Sequence, residues 1–335
     1  MKHFFLSILV CTIFPMTIQA QGSMTVMFYN TENLFDTVDN PDKADDEFTP
    51  EGSYRWSAGR YWAKLNSLSK VIAAVDEDTA PALVGLAEVE NDTVLSDLTS
   101  RAALREAGYR FVMTDSPDRR GIDVALLYRR TFFQYISHEC IRVDLSPQGG
   151  SPTRDILHVT GRLENHDTLD VYVCHWPSRI GGEKETEPLR MIAAGRVRQS
   201  VDSVFSVRRK PYVIIMGDLN EGPDSPAVRQ GLAAVPYASD PDMEDRHLMT
   251  MMDCLEDGSY KYQGRWDCYD QFVVSASLMN GLGCTGAHDV RICAFDFLLE
   301  DDDTYGGRKP KRTYNGRRHQ GGCSDHLPVC MTISF

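Results

Sequence analysis

Near its carboxyl end the chain reads Gly321-Gly322-Cys323-Ser324-Asp325-His326-Leu327-Pro328-Val329, a carboxylate beside an imidazole at the mouth of an apolar segment. Alone, such a pair is common in ordinary turns. Its companions change its meaning. The apolar run Tyr212-Val213-Ile214-Ile215-Met216 ends in Gly217-Asp218-Leu219-Asn220, and the alternation of strand side chains aims Asp218 and Asn220 to one side. Comparable apolar runs lead from Ala82 to Glu88, from Leu169 to His175 and from Met24 to Asn30, while Asp270 opens Gln271-Phe272-Val273-Val274. A near-continuous apolar strand is buried, and a carboxylate or imidazole at its tip is costly to desolvate unless it is hydrogen-bonded, paired or bound to a metal. Repetition of the pattern along the whole chain implies one shared polar centre.

The ordered set resembles the endonuclease/exonuclease/phosphatase superfamily, the deoxyribonuclease I-like hydrolases. The motifs that carry the resemblance are Phe28-Tyr29-Asn30-Thr31-Glu32-Asn33-Leu34-Phe35-Asp36, Glu88-Val89-Glu90-Asn91, the His175 segment, Gly217-Asp218-Leu219-Asn220, Asp270 and the terminal Ser324-Asp325-His326. Together they span nearly all of the chain beyond its amino-terminal leader. The resemblance implies an α/β (α+β) fold: a four-layered sandwich of two mixed, mostly antiparallel β-sheets packed face to face with helices on the outside.

It also implies roles. Phosphoester hydrolysis needs a cation on the phosphate oxygens, an in-line water made nucleophilic and help for the departing oxygen. Hard oxygen ligands suit Mg2+, with Mn2+ or Ca2+ as alternatives, so Glu88, Asn30 and Asp325 are the candidate metal ligands. By the same resemblance Asp218 orients or deprotonates the attacking water, and Asn220 positions that water or donates to the phosphate. Asp270 fixes the tautomer of His326, whose other nitrogen faces the scissile phosphate, and His175 supplies a second catalytic imidazole.

His175 is followed by Trp176-Pro177-Ser178-Arg179, where members of the family vary widely. Trp176 is a candidate for lining a base or sugar pocket, or else packs in the core; Arg179 is a candidate phosphate contact, and Arg120, with Arg119, is either a phosphate contact or a solvated turn residue. The stretch Arg308-Lys309-Pro310-Lys311-Arg312-Thr313-Tyr314-Asn315-Gly316-Arg317-Arg318-His319 is the most basic and leads into Asp325-His326, so it is read as an anion-attracting rim, with Tyr305 and Tyr314 as stacking candidates. Composition opposes a broad phosphate-tracking surface, because 35 basic residues face 48 acidic ones. The expected activity is an exported metal-dependent phosphodiesterase of nuclease type acting on nucleic acid. Alternatives are a phosphatase on small or lipid-linked phosphates, a sphingomyelinase-like phosphodiesterase, and a non-catalytic binding protein on the same fold.

Met1-Lys2-His3 followed by an apolar run and Ile18-Gln19-Ala20 reads as a secretory signal peptide over residues 1–20, leaving one catalytic domain over 21–335 and a periplasmic or secreted location. No later apolar run is long enough to span a membrane as a helix, and no protein partner is implied. Export permits disulfides: Cys254 with Cys268 and Cys284 with Cys293 are the expected bridges, whereas Cys174 and Cys330 lie in apolar strand patterns and are expected as buried thiols. Asp42, Asp45, Asp46 and Glu47 read as a solvated loop. Tyr61, Leu65, Leu68, Ile72 and Val75, and again Leu189, Ala193, Val197, Val201 and Val204, recur at helical spacing and predict two core-facing helices.

Overall fold

The computed structural model describes residues 22–76, 79–237, 246–255, 257–279 and 287–334. The expected leader at 1–20, Cys284 and the side chain of Cys254 lie outside the described residues.

The first sheet contains β1 (Ser23–Leu34), β2 (Leu83–Val89), β3 (Tyr109–Met113) and β4 (Asp123–Arg129). The second begins with β5 (Phe133–Ile141), β6 (Ile156–Leu163), β7 (Thr168–His175), β8 (Tyr212–Asp218), β9 (Ala234–Pro236) and β10 (Leu248–Thr250). A small ribbon, β11 (Tyr260–Tyr262) and β12 (Arg265–Asp267), precedes β13 (Asp270–Ser275), which returns to the second sheet. Strand β14 (Ala287–Ile292) and the last strand β19 (Val329–Ser334) complete the first. Between them lie the ribbons β15 (Leu299–Asp301) with β16 (Arg308–Pro310) and β17 (Tyr314–Asn315) with β18 (Arg318–His319).

The sheet orders are β14-β19-β1-β2-β4-β3 and β5-β6-β7-β8-β13-β10-β9. Parallel pairing joins β1 to β2 and β7 to β8 at the two sheet centres, and β9 to β10 at an edge; the other neighbours are antiparallel. Each central parallel pair needs a crossover, supplied by α1 (Ala58–Ala74) in one sheet and α3 (Glu183–Val207) in the other. The shorter α2 (Asp92–Ser100) packs beside α1.

Alternation along the strands divides the core. Val26, Phe28, Leu126, Val171, Ile214 and Phe272 fill the space between the sheets, whereas their neighbours Met27, Tyr29 and Leu127 face α1 and α2, and Val213 and Ile215 face α3. Both predicted helical stripes sit on α1 and α3, with Tyr61, Leu65, Leu68 and Ile72 buried on one and Ala193, Val197, Val201 and Val204 on the other. The result is a helix–sheet–sheet–helix sandwich, as the resemblance implied.

Two expectations change on folding. Cys174 and Cys330 are buried free thiols as expected, but Cys293, expected to bridge Cys284, is itself a free thiol whose Sγ lies 3.0 Å from Sγ of Cys330. Asp45 is buried, not solvated, because its carboxylate accepts the Asn40 backbone amide at 3.2 Å and closes the loop.

Candidate active site

Both central parallel pairs end at the same edge of the sandwich, and their carboxyl ends carry the residues marked in the sequence. In the second sheet, His175 on β7 is in register with Asp218 on β8, and Asp218 with Asp270 on β13. Register neighbours project from the same face, so adjacent strands set an imidazole and two carboxylates side by side. In the first sheet, β1 loses regular pairing between Asn30 and Leu34, and β2 does so against β4 between Ala87 and Val89. Glu88 lies in that second irregularity with φ 62°, Asn220 has φ 50°, and Glu32 and Asn33 are likewise left-handed at 50° and 57°. Backbone strain of this kind persists only where the surroundings over-determine it, and here it re-aims side chains off the strand ends into the centre.

Asp218 Oδ2 is the meeting point. It accepts Asn30 Nδ2 at 3.0 Å, and the Nε2 atoms of His175 and His326 stand 3.6 and 3.7 Å from it. Its Oδ1 accepts the Asn220 backbone amide at 3.0 Å. His326 is oriented from behind by Asp270, whose Oδ2 lies 2.7 Å from Nδ1. His175 Nε2 also faces Glu88 Oε1 at 3.9 Å. Ser324 ties the segment before β19 to the end of β1, donating to the Asn30 carbonyl at 2.7 Å and accepting the His326 amide at 3.1 Å.

Burial and neighbouring charge set the protonation states. Burial raises Glu88, but Arg120 and then His175 and His326 outweigh it and hold the carboxyl at about 2, so it is ionised. Burial pushes Asp218 up to about 6 against the pull of His326. Burial disfavours the His326 cation, yet Asp270 and Asp218 hold this imidazole well above its ordinary value. Burial and the Arg154 guanidinium drive His175 the other way, well below it, so one imidazole is charged and the other neutral.

The structure therefore brings together Asn30, Glu88, His175, Asp218, Asn220, Asp270 and His326. Asp325 flanks the group, held at 2.6 Å by Arg312. Four side chains act differently from a simple reading of their types. Asn220 donates its amide to the Trp176 carbonyl at 3.2 Å, bracing the loop. Trp176 is interior, packed under α3 among Tyr172, Cys174 and Ala194; its indole lines no pocket, because the backbone that places His175 turns the next side chain into the core. Arg179 spends its guanidinium on Asn220 O at 2.8 Å, Glu221 at 3.0 Å and Glu183 at 2.9 Å, and Arg120 rests on Glu88 at 3.1 Å.

Sequence reasoning missed several participants. Glu32 is buried, bonded to Arg312 at 3.3 Å, and pushed up to about 7 by burial and Asp325. Lys64 is buried beneath it, bonded to the Glu32 carbonyl and to Thr313 at 2.8 Å. Its signal was available: a Lys inside the apolar stripe Tyr61, Leu65, Leu68 is out of place unless paired. The basic stretch is only partly a rim, since Arg312 turns inward to Asp325 and Tyr314 packs against Tyr54 and Trp56; Tyr305 is exposed.

Among the described residues, Asp218, Asp270 and His326 place one potential ligand atom each within 4.8 Å of one another. The Asp270–His326 hydrogen bond already occupies the facing atoms of two of them. Hard-cation chemistry favours oxygen donors such as Glu88, Asn30 and Asp325, and the carboxylate of Glu88, held ionised, suits a divalent ion.

Residues 25–334 match the sequence profile of the Endonuclease/Exonuclease/phosphatase family. The chain belongs to that family. It is a hydrolase of phosphoester bonds with the deoxyribonuclease I-like sandwich. A comparison with curated protein sequences returns no match. Among solved structures, an endonuclease/exonuclease/phosphatase family protein from Bacteroides thetaiotaomicron is similar at 15% identity and TM-score 0.58, with 95% of this chain and 99% of that one covered. TDP2 from D. rerio, complexed with a single strand DNA product, is similar at 15% identity and TM-score 0.54, covering 92% and 98%. The human Nocturnin catalytic domain with bound sulfate is similar at 15% identity and TM-score 0.56, covering 94% and 97%. At these identities the likeness is one of fold.

Proposed function

We propose that the hydrolase is an exported, divalent-metal-dependent phosphodiesterase that cleaves nucleic-acid phosphodiester bonds by in-line attack of an activated water. The observation that carries the reading is the convergence on Asp218 Oδ2 of Asn30 and two imidazoles in opposite charge states. A divalent ion held by Glu88, Asn30 and Asp325, as Mg2+ or as Mn2+ or Ca2+, would supply charge neutralisation on the phosphate oxygens.

The chain's own groups do the rest. Asp218, raised to about 6 and therefore ionised at neutral pH, accepts the proton of the attacking water. His326, held as a cation by Asp270, donates to the phosphate or to the departing oxygen from Nε2. His175, neutral and facing both Asp218 and Glu88, keeps its Nε2 in hydrogen-bonding reach of the same phosphate. Asn220 fixes the loop that carries Asp218.

Nucleic acid as substrate draws support from the DNA product bound by the similar TDP2 fold, and from the two guanidinium groups beside the site carboxylates, Arg120 on Glu88 and Arg312 on Asp325. The net acidity of the chain implies salt-sensitive binding of any polyanion. Purified protein lacking residues 1–20 is offered plasmid DNA, RNA, a chromogenic diester, a phosphomonoester and sphingomyelin, with Mg2+, Mn2+, Ca2+ or chelator. Chelator-sensitive cleavage of nucleic acid is expected; turnover of the monoester or the lipid alone overturns the nuclease assignment. Export rests on the apolar leader, and a mature protein beginning near Gln21 in the periplasm or medium is the expected finding.

A further inference from the structure

The segment Gly258-Ser259-Tyr260 runs along the catalytic imidazole and has no part in the chemistry above. Gly258 presses on the backbone of Asp267, where a Cβ would sit 2.5 Å from the amide nitrogen. Ser259 donates to Asp270 Oδ2 at 2.5 Å, the same oxygen that faces His326 Nδ1. The Ser259 carbonyl accepts the Leu327 amide at 2.7 Å, and Tyr260 forms an isolated antiparallel bridge with His326 itself. Backbone and side chain thus fix this segment against His326 independently.

The Tyr260 ring lies over the imidazole, with centroids 4.8 Å apart. Tyr269 flanks it at 5.5 Å, and the Arg179 guanidinium backs Tyr269 at 4.7 Å. Held between these neighbours, Tyr260 is only half-buried although it is packed against the imidazole. The charged and polar groups that act on its hydroxyl are Asp325, Arg312, Tyr269 and Asp218. Burial and Asp325 hold the phenol above its ordinary value, so it carries its proton and can donate.

Resting on the phosphodiesterase reading, we propose that Tyr260 is a further catalytic residue, its hydroxyl donating a hydrogen bond to a non-bridging oxygen of the scissile phosphate beside His326. A fixed donor aimed where negative charge grows acts mainly on the transition state. The ring has a separate task, holding the imidazole in place.

The test uses the protein lacking residues 1–20 and a chromogenic diester with Mn2+, comparing wild type, Tyr260→Phe and Tyr260→Leu, with thermal melting of each. Tyr260→Phe keeps the ring and is expected to lower kcat by about a hundred- to a thousandfold, with KM and melting temperature near wild type. Wild-type kcat in Tyr260→Phe overturns the proposal. If Tyr260→Leu alone is then impaired, Tyr260 is a positioning residue and the hydroxyl has no role. Loss in Tyr260→Phe through KM alone also overturns it, since the contact would then serve ground-state binding. A wild-type protein that turns over no diester breaks the phosphodiesterase reading instead, an outcome visible before any variant is compared.

Discussion

Among the described residues, two buried aspartates, Asp270 and Asp170, each hold an imidazole by a hydrogen bond, and only Asp270 is at the site. At the site, Asp270 Oδ2 holds His326 Nδ1 at 2.7 Å; on β6 and β7, Asp170 Oδ1 holds His158 Nε2 at 3.0 Å. Both aspartates are fully buried. They differ in what the remaining atoms do. Asp170 is saturated, accepting Thr160 at 2.6 Å and Arg208 Nε at 3.0 Å, while His158 lies flat on Tyr172 with centroids 4.3 Å apart. At the site Asp270 Oδ1 is buried with no protein partner, and His326 Nε2 faces a second carboxylate, Asp218, at 3.7 Å, too far for a hydrogen bond. A closed network holds a fold together, whereas an open one leaves an atom free to meet a substrate.

That contrast is open to direct test. His326→Ala should lower kcat on the diester by about 10²–10⁴-fold, with little change in melting; His158→Ala should leave kcat near wild type. If the two variants lose equal activity, the distinction fails. Asp170→Ala leaves the Arg208 guanidinium and the Thr160 hydroxyl without their acceptor and should cost about 3–5 kcal/mol in denaturant unfolding, while the folded fraction retains its kcat. Ser259→Ala removes a charge-assisted bond from Asp270, for which about 1.5–3 kcal/mol is expected; its loss should appear in kcat more than in stability, the reverse of Asp170→Ala. Glu88→Gln should weaken Mn2+ binding in calorimetry, and unchanged binding would remove Glu88 from the ligand set.

The smallest effect is one of pH. Burial works against the charge on Asp170, but His158, Arg208 and Thr160 overcome it and hold the carboxyl below its ordinary value. A depressed carboxyl contributes stability that is complete above the unfolded value of about 4 and is lost as pH falls through the folded value. Stability of the wild type should therefore fall on acidification below about pH 4, and Asp170→Asn should flatten that limb. An unaltered acid limb would show that another group governs it.

The strand tips were legible because burial makes a polar terminus conspicuous: Asn30, Glu88, His175, Asp218, Asp270 and His326 each end or begin an apolar run. The helix stripes of α1 and α3 were legible for the same reason, through period and not through any contact. Ser259 and Tyr260 gave no signal, since a Ser and a Tyr ahead of a short ribbon suit any turn. Asp170 hid inside its strand, where its neighbours across β6 supply the partners that no local pattern can show. Trp176 beside His175 suggested a pocket, but successive side chains leave opposite faces of the backbone, and the one next to the imidazole went to the core.

Sequence by itself determined which segments are apolar, where each stops, and which chemical group stands at each stop, because periodicity and desolvation act locally. Only the tertiary structure decided which groups meet and in what charge state. Register across β7, β8 and β13, the left-handed backbone at Glu88 and the packing of one sheet on the other brought groups 188 positions apart, Asn30 and Asp218, into hydrogen-bond contact at 3.0 Å. Protonation followed from that meeting: Asp218 rises and His175 falls through burial, and His326 rises because two carboxylates close on it, none of which a linear chain can express.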